Sequence, residues 1–206
     1  MIYILDFDGV LFDDEVFKRD FQHVFTRHGV GHDVYRQTYE HAKVARKGTY
    51  ELDVHVGIIA SEYPMINHTL LRKDLMALAH QSRHYIFADA KAFLLDAQKK
   101  QHTLFLISAG DPVFQKEKIH ASGISSFFKK VVITAASQKF IAIDEIKKQI
   151  NGDEMIFIDD KKEAVEDMKK HHPHIKVVQM ARVSRMARSK LVDRCIKNFL
   201  ELTGVI

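Results

Sequence analysis

The chain opens with MIYILDFDGVLFDDE, residues 1–15, and the reading of this stretch decides the rest. Ile2 to Leu5 are four consecutive apolar residues that run straight into Asp6, Phe7, Asp8 and Gly9. A continuous apolar run without alternation is the pattern of a strand covered on both faces. Ionised carboxylates at the end of such a strand are costly to bury unless they are paired or bound to a metal. The stretch therefore predicts either a solvated turn or a reactive centre.

Working outward, the same kind of run recurs as TLFLI from Thr103, KVVIT from Lys130, MIFI from Met155 and KVVQM from Lys176. Helical patterns lie between these runs: DAKAFLLDAQKKQ from Asp89, FIAIDEIKKQI from Phe140, and a charged segment from Lys161 to Lys170 with a thin apolar stripe. Strands alternating with helices predict an α/β fold built on a doubly wound, Rossmann-like parallel sheet. The interval from Phe12 to Ala88 breaks the alternation and contains no strand pattern. Phe17, Phe21 and Phe25 recur every four residues, Gly29 follows as a stop, and further helical stretches begin near Asp33, Tyr50 and His68. This interval reads as a helical cap inserted after the first strand, with residues 14–86 forming the cap and residues 1–13 and 87–206 the catalytic core. At the other end Leu191, Val192, Cys195, Ile196, Phe199 and Leu200 predict a last amphipathic helix, ended by Gly204 and packed on the core.

In a parallel sheet the residues just past the C-terminal strand ends converge on one edge, where ligands bind. The first strand delivers Asp6 and Asp8 there, the second Ser108, Ala109 and Gly110, and the fourth Asp159 and Asp160. Several carboxylates so close would repel one another and raise their pKa values. A hard divalent cation relieves this, and Mg²⁺ takes carboxylate and carbonyl oxygens while keeping water for a phosphate to share. In such a site Asp6 has the chemistry of a nucleophile and Asp8 that of an acid and base, while Ser108 and the backbone amides after it suit phosphoryl oxygens. A positive charge for the transferred group is the missing part. Lys139, between the third strand and the next helix, is placed to supply it; Lys129, Lys130, Lys161 and Lys162 compete on charge alone.

These stretches resemble, in order, the four motifs of the haloacid dehalogenase (HAD) superfamily: DFDGV after a short strand, LFLISAG in the middle, Lys139 ahead of a helix, and IFIDDKKEAV near the end. The segment PVFQKEKIHASGISSFFKKVVIT is also similar to that superfamily's connection between the second and third strands. The resemblance implies a phosphohydrolase in which Asp6 forms an aspartyl-phosphate and Asp8 serves as general acid and base. It implies phosphate binding by Ser108, Ala109 and Lys139, and Mg²⁺ held by Asp6, Asp8, Asp159 and Asp160, with Asp160 the main carboxylate of the fourth motif. Two positions depart from the pattern. Phe140 stands where proline often follows the lysine, and Ala164 stands where a further carboxylate or amide often supports the metal, with Glu163 beside it. Dehalogenases of the superfamily lack the second carboxylate of the first motif, so Asp8 favours phosphoryl chemistry. The same core implies two alternatives: a phosphomutase of the β-phosphoglucomutase type, or a non-catalytic protein that binds phosphorylated ligands.

Composition bounds the remaining classes. The 206 residues are 46% hydrophobic and 28% charged, enough for one core domain plus an insertion. Cys195 is the single cysteine, which excludes an intramolecular disulfide and suits a reducing, cytoplasmic location. No stretch reaches the roughly 18 apolar residues of a membrane span. The net charge of +4 suits an anionic small substrate, and no nucleic-acid-binding motif accompanies it. Specificity is assigned to Arg46 and Lys47 in VARKGTYE, which is similar to the cap loop of β-phosphoglucomutase-like enzymes, and to Arg182 in ARVSRMAR, where Arg185 and Arg188 follow. The run HHPH at His171 to His174 reads as a surface loop rather than a metal site.

Overall fold

A computed structural model describes residues 1–45, 49–135, 138–148, 154–183 and 186–202. Six parallel strands form one sheet: β1 (Ile2–Leu5), β2 (Thr103–Ala109), β3 (Lys130–Thr134), β4 (Met155–Asp159), β5 (Lys176–Met180) and β6 (Arg194–Ile196), in the order β3-β2-β1-β4-β5-β6. All neighbouring pairs run parallel, and β1 lies between β2 and β4 with Leu5 opposite Leu106 and Ile158. The order reverses between β1 and β4, the point at which an open α/β sheet leaves a crevice beyond its strand ends.

Both faces of the sheet are covered, which explains why its strands read as unbroken apolar runs. Ile2, Ile4, Phe105, Ile107, Phe157 and Val177 project from one face onto Ile143 and Ile146 of α7 (Lys139–Lys147) and Val165 and Met168 of α8 (Lys162–His171). On β1, Tyr3 meets Phe93 of α5 (Ala88–Lys99) edge to face at 5.1 Å, and Phe93 stacks on Phe199 at 4.4 Å.

The C-terminal segment differs from the helix expected of it. Arg194–Ile196 form the edge strand β6 beside β5, and Phe199–Leu202 make one short 3-10 turn. The register is pinned by Asp193, whose carboxylate accepts from the Val177 amide at 2.7 Å and pairs with Lys169. The helical spacing had joined side chains that do not share a face: Ile196 and Phe199 are buried, whereas Leu191 is 50% and Leu200 73% exposed. Backbone pairing to an open sheet edge outweighed local periodicity.

The described chain divides into two compact units. The sheet unit comprises Met1–Asp13, Ile86–Ala109 and the chain from Ile124 onward. The helical unit comprises Asp14–Tyr85 and Gly110–Gly123. It contains α1 (Asp14–Arg27), α2 (His32–Ala45), α3 (Leu52–Glu62), α4 (His68–Ala79) and α6 (Pro112–Ala121). The phenylalanines spaced by four on α1 form its aromatic spine, with Phe21 5.4 Å from Phe25 and 5.7 Å from Phe114 of α6. Asp111 starts α6 by accepting from the Val113 and Phe114 amides, and its other oxygen accepts from the Leu52 amide at 3.0 Å. A polar network is enclosed among the aromatics. Buried His55 stacks on Phe25 at 4.6 Å, while its Nε2 meets Thr38 Oγ1 at 2.8 Å and its Nδ1 meets the Tyr50 hydroxyl at 3.1 Å. No helix among the described residues is long and apolar enough to cross a membrane.

Candidate active site

The site grows from the junction of β1 and β4. The Asp6 amide donates to the Ile158 carbonyl at 2.9 Å, which sets the first carboxylate beside Asp159 and Asp160. Past Asp6 the chain turns within one tight loop: the amides of Leu11 and Phe12 both donate to the Phe7 carbonyl, and the Gly9 amide donates to Phe12. Gly9 carries the turn with φ of +75°, and a Cβ there would lie 2.6 Å from Asp160 Oδ2. Glycine is required twice over, for the left-handed backbone and for the approach of the fourth-motif carboxylate.

Lys139, the first residue of α7, projects into this junction. Its Nζ lies 2.8 Å from Asp6 Oδ1 and 2.7 Å from Asp159 Oδ2, and both Lys139 and Asp6 are only 2% exposed. Asp159 is fully buried, and its other oxygen accepts from the Lys161 amide at 2.9 Å. Burial, reinforced by the charge of Asp159, pushes the Asp6 carboxyl up to about 6 even though Lys139 works against it. Burial also acts to lower Lys139, but the two carboxylates outweigh it and hold the ammonium above the ordinary lysine value. The outcome is a firmly charged lysine between two carboxylates, one of which, Asp6, takes up a proton more readily than an ordinary aspartate.

Asp6, Asp159 and Asp160 each offer an oxygen, and these atoms all lie within 4.8 Å of one another; among the described residues no other acidic, histidine or cysteine group is so arranged. The donors are all hard carboxylate oxygens, and Asp160 keeps its Oδ1 buried. That donor set fits a hard divalent cation such as Mg²⁺ better than a soft or histidine-seeking metal.

The other residues named from sequence fall as follows. Asp8 sits half-buried in the turn after Asp6, and Ser108, fully buried, and Ala109 end β2, the strand beside β1. Lys161 gives its backbone amide to Asp159, and its ammonium, on a residue exposed overall, joins Lys139 in favouring the ionised form of Asp6. Glu163, the neighbour of Ala164, is exposed on α8. Arg182 is turned to other partners. It pairs with both Asp89 oxygens, donates to the Val10 carbonyl at 2.7 Å and lies 3.8 Å over the Phe87 ring. Arg188 is exposed, and Arg46, Lys47 and Arg185 lie outside the described residues. Gly9 is the site residue that motif reasoning passes over. Its position directly after the second carboxylate was the available signal.

The model of the haloacid dehalogenase-like hydrolase family matches residues 1–172, and the chain belongs to that family. No curated protein sequence matches it. Solved structures share the fold at low identity. A haloacid dehalogenase-like hydrolase of Burkholderia xenovorans is 19% identical, with 99% of this chain and 96% of that one covered at a TM-score of 0.77. The magnesium-bound HAD-hydrolase YfnB of Bacillus subtilis is 15% identical, with 99% and 97% covered at 0.72. The L-2-haloacid dehalogenase of Xanthobacter autotrophicus is 14% identical, with 98% and 96% covered at 0.66.

Proposed function

We propose that this family member is a Mg²⁺-dependent phosphohydrolase acting on a small phosphomonoester through an aspartyl-phosphate on Asp6. One observation carries the reading: the turn after β1 presents a second carboxylate, Asp8, two residues beyond the buried Asp6–Lys139 pair. Substitution at phosphorus needs a proton for the leaving oxygen and later a base for water, and Asp8 supplies both. A bound Mg²⁺, held by Asp6, Asp8, Asp159 and Asp160, would offset the negative charge of carboxylates and phosphate.

An oxygen of ionised Asp6 attacks phosphorus, the P–O ester bond breaks, and the leaving oxygen takes the proton of Asp8. Asp8, now a carboxylate, removes a proton from water as that oxygen attacks the phosphorus. The bond to Asp6 breaks and inorganic phosphate leaves. Lys139 keeps Asp6 ionised and neutralises the phosphoryl oxygens, while Ser108 and the backbone of Ala109 bind them. In this reading residues 14–86 serve as the cap, and Arg46 and Lys47 contribute substrate contacts.

The test is phosphate release from a panel of phosphomonoesters, with Mg²⁺ and with chelator, for wild type and Asp6→Asn. Release that requires both the metal and Asp6 is expected. Halide release from 2-haloacids with no phosphate release would overturn the reading in favour of dehalogenation.

A further inference from the structure

The HHPH run lies away from the carboxylates, yet its first two residues close on the residue next to Lys139. The His171 ring stacks on the Phe140 ring with centroids 3.8 Å apart and planes 11° from parallel. His171 is itself held, its Nδ1 2.8 Å from the Asp167 carbonyl one turn back on α8. The next ring, His172, is buried and reaches α7 at two points. Its Nε2 lies 2.8 Å from the Phe140 carbonyl and its Nδ1 lies 2.9 Å from Lys147 Nζ.

The partners of His172 select its tautomer. A carbonyl only accepts, so Nε2 carries the hydrogen; an ammonium only donates, so Nδ1 offers its lone pair. The neutral tautomer is thereby specified from both sides. The backbone of His172 is pinned as well, its amide donating to Met168 and its carbonyl accepting from Ile175. Phe140 is thus gripped by its ring and by its carbonyl, while its immediate neighbour Lys139 bridges Asp6 and Asp159 at 2.8 and 2.7 Å.

We propose that His171 and His172 are positioning residues that brace the first turn of α7 and so fix the Lys139 ammonium between Asp6 and Asp159. The inference rests on the assignment of Lys139 as the cation of the phosphoryl site. It gives Phe140 a task in place of the proline that the family resemblance leads one to expect there: a ring for His171 to stack on takes over some of the stiffening that a fixed φ would provide. Neither histidine touches substrate or the reacting atoms in this scheme.

Two readouts test the brace, one of them independent of turnover. With ¹⁵N-labelled lysine, the buried Lys139 ammonium is expected to give a protected NMR signal, identified by its loss in Lys139→Met. The signal shifts or broadens in His172→Ala and returns toward its wild-type position in His172→Gln, which keeps a donor for the Phe140 carbonyl. In kinetics, His172→Ala lowers kcat on the best phosphomonoester about tenfold, with KM changed less than twofold, as a misplaced charge would do; His172→Gln recovers most of the loss and His171→Leu shows a smaller one. An unchanged Lys139 signal in a folded His172→Ala variant overturns the brace, as does an equal loss in His172→Ala and His172→Gln. A wild type that releases no phosphate counts against the phosphohydrolase reading, and the NMR comparison still decides whether the histidines position Lys139.

Discussion

Acidification should loosen the protein through one residue, His55, and the size of the effect can be worked out in advance. Thr38 Oγ1 gives its own hydrogen to the Val34 or Tyr35 carbonyl, so it accepts from His55 Nε2, which leaves His55 Nδ1 to accept from the Tyr50 hydroxyl. Both nitrogens are satisfied in the neutral ring, and a second proton would displace the Tyr50 bond. Burial lowers the His55 pKa from 6.5 to about 4. The unfolded chain takes up this proton near 6.5 whereas the folded chain resists it until about 4, so between those values the unfolded state binds more protons and stability declines as pH falls. Each pH unit in that window carries about 1.4 kcal/mol per proton, which makes the whole window worth about 3 kcal/mol. Above pH 6.5 this contribution is fully present.

The assay is urea denaturation at half-unit intervals from pH 7.5 to 4, followed by tyrosine fluorescence and near-ultraviolet circular dichroism. The chain has no tryptophan, and five of its six tyrosines, Tyr35, Tyr39, Tyr50, Tyr63 and Tyr85, belong to the helical unit, so the signal reports on the right part of the molecule. Because carboxylates and other histidines also titrate, the informative quantity is wild type compared with His55→Gln. The variant is expected to be less stable at pH 7.5 but to lose about 3 kcal/mol less on the way to pH 4. Parallel stability curves for the two proteins would refute the reasoning.

Three further outcomes are expected at the site. Gly9→Ala should abolish most phosphate release and lower thermal stability by about 1–2 kcal/mol, since the new Cβ meets Asp160 and the backbone is left-handed there; undiminished activity would contradict that geometry. Lys139→Met strands two buried carboxylates and should cost about 3–5 kcal/mol in urea titrations near pH 7.5, along with turnover. Mg²⁺ affinity measured by calorimetry should weaken about tenfold per pH unit below about 6, where a proton competes for Asp6, and binding near pH 6 should release protons to the buffer.

Much of the core was legible in the sequence because its signals are local. Strands covered on both faces must be apolar throughout, so β1 to β5 stand out as unbroken runs, and the carboxylates at their ends are conspicuous because nothing in a packing argument asks for them there. The misread segment is the one whose structure depends on a distant partner. Leu191 to Leu200 has helical spacing, yet the open edge of β5 and the Asp193 contact to Val177 recruit it as a strand. The histidine run was similarly opaque: the stacking of His171 on Phe140 joins positions 31 apart and leaves no periodic trace. Lys139 could be ranked above its rival lysines only by resemblance, because charge alone does not reveal that its ammonium bridges two strands.

The Arg182 clamp has a consequence for how the molecule comes into being. One guanidinium gathers the Val10 carbonyl and the Asp89 carboxylate across sequence separations of 172 and 93 residues, and the same carboxylate accepts from the Phe199 amide 110 residues further on. Val10 belongs to the loop that follows Asp6 and Asp8, so this loop is clamped by a residue synthesised 172 positions later. A nascent chain with β1 and the helical segment already made closes this loop on itself but cannot add the Arg182 clamp until residue 182 has emerged. Contacts of such long range form slowly and leave the Val10 end of the loop unclamped until late in assembly. Translation pauses upstream of Arg182 should therefore leave a partly folded, protease-sensitive intermediate, and the finished site arrives with the completed sheet rather than before it.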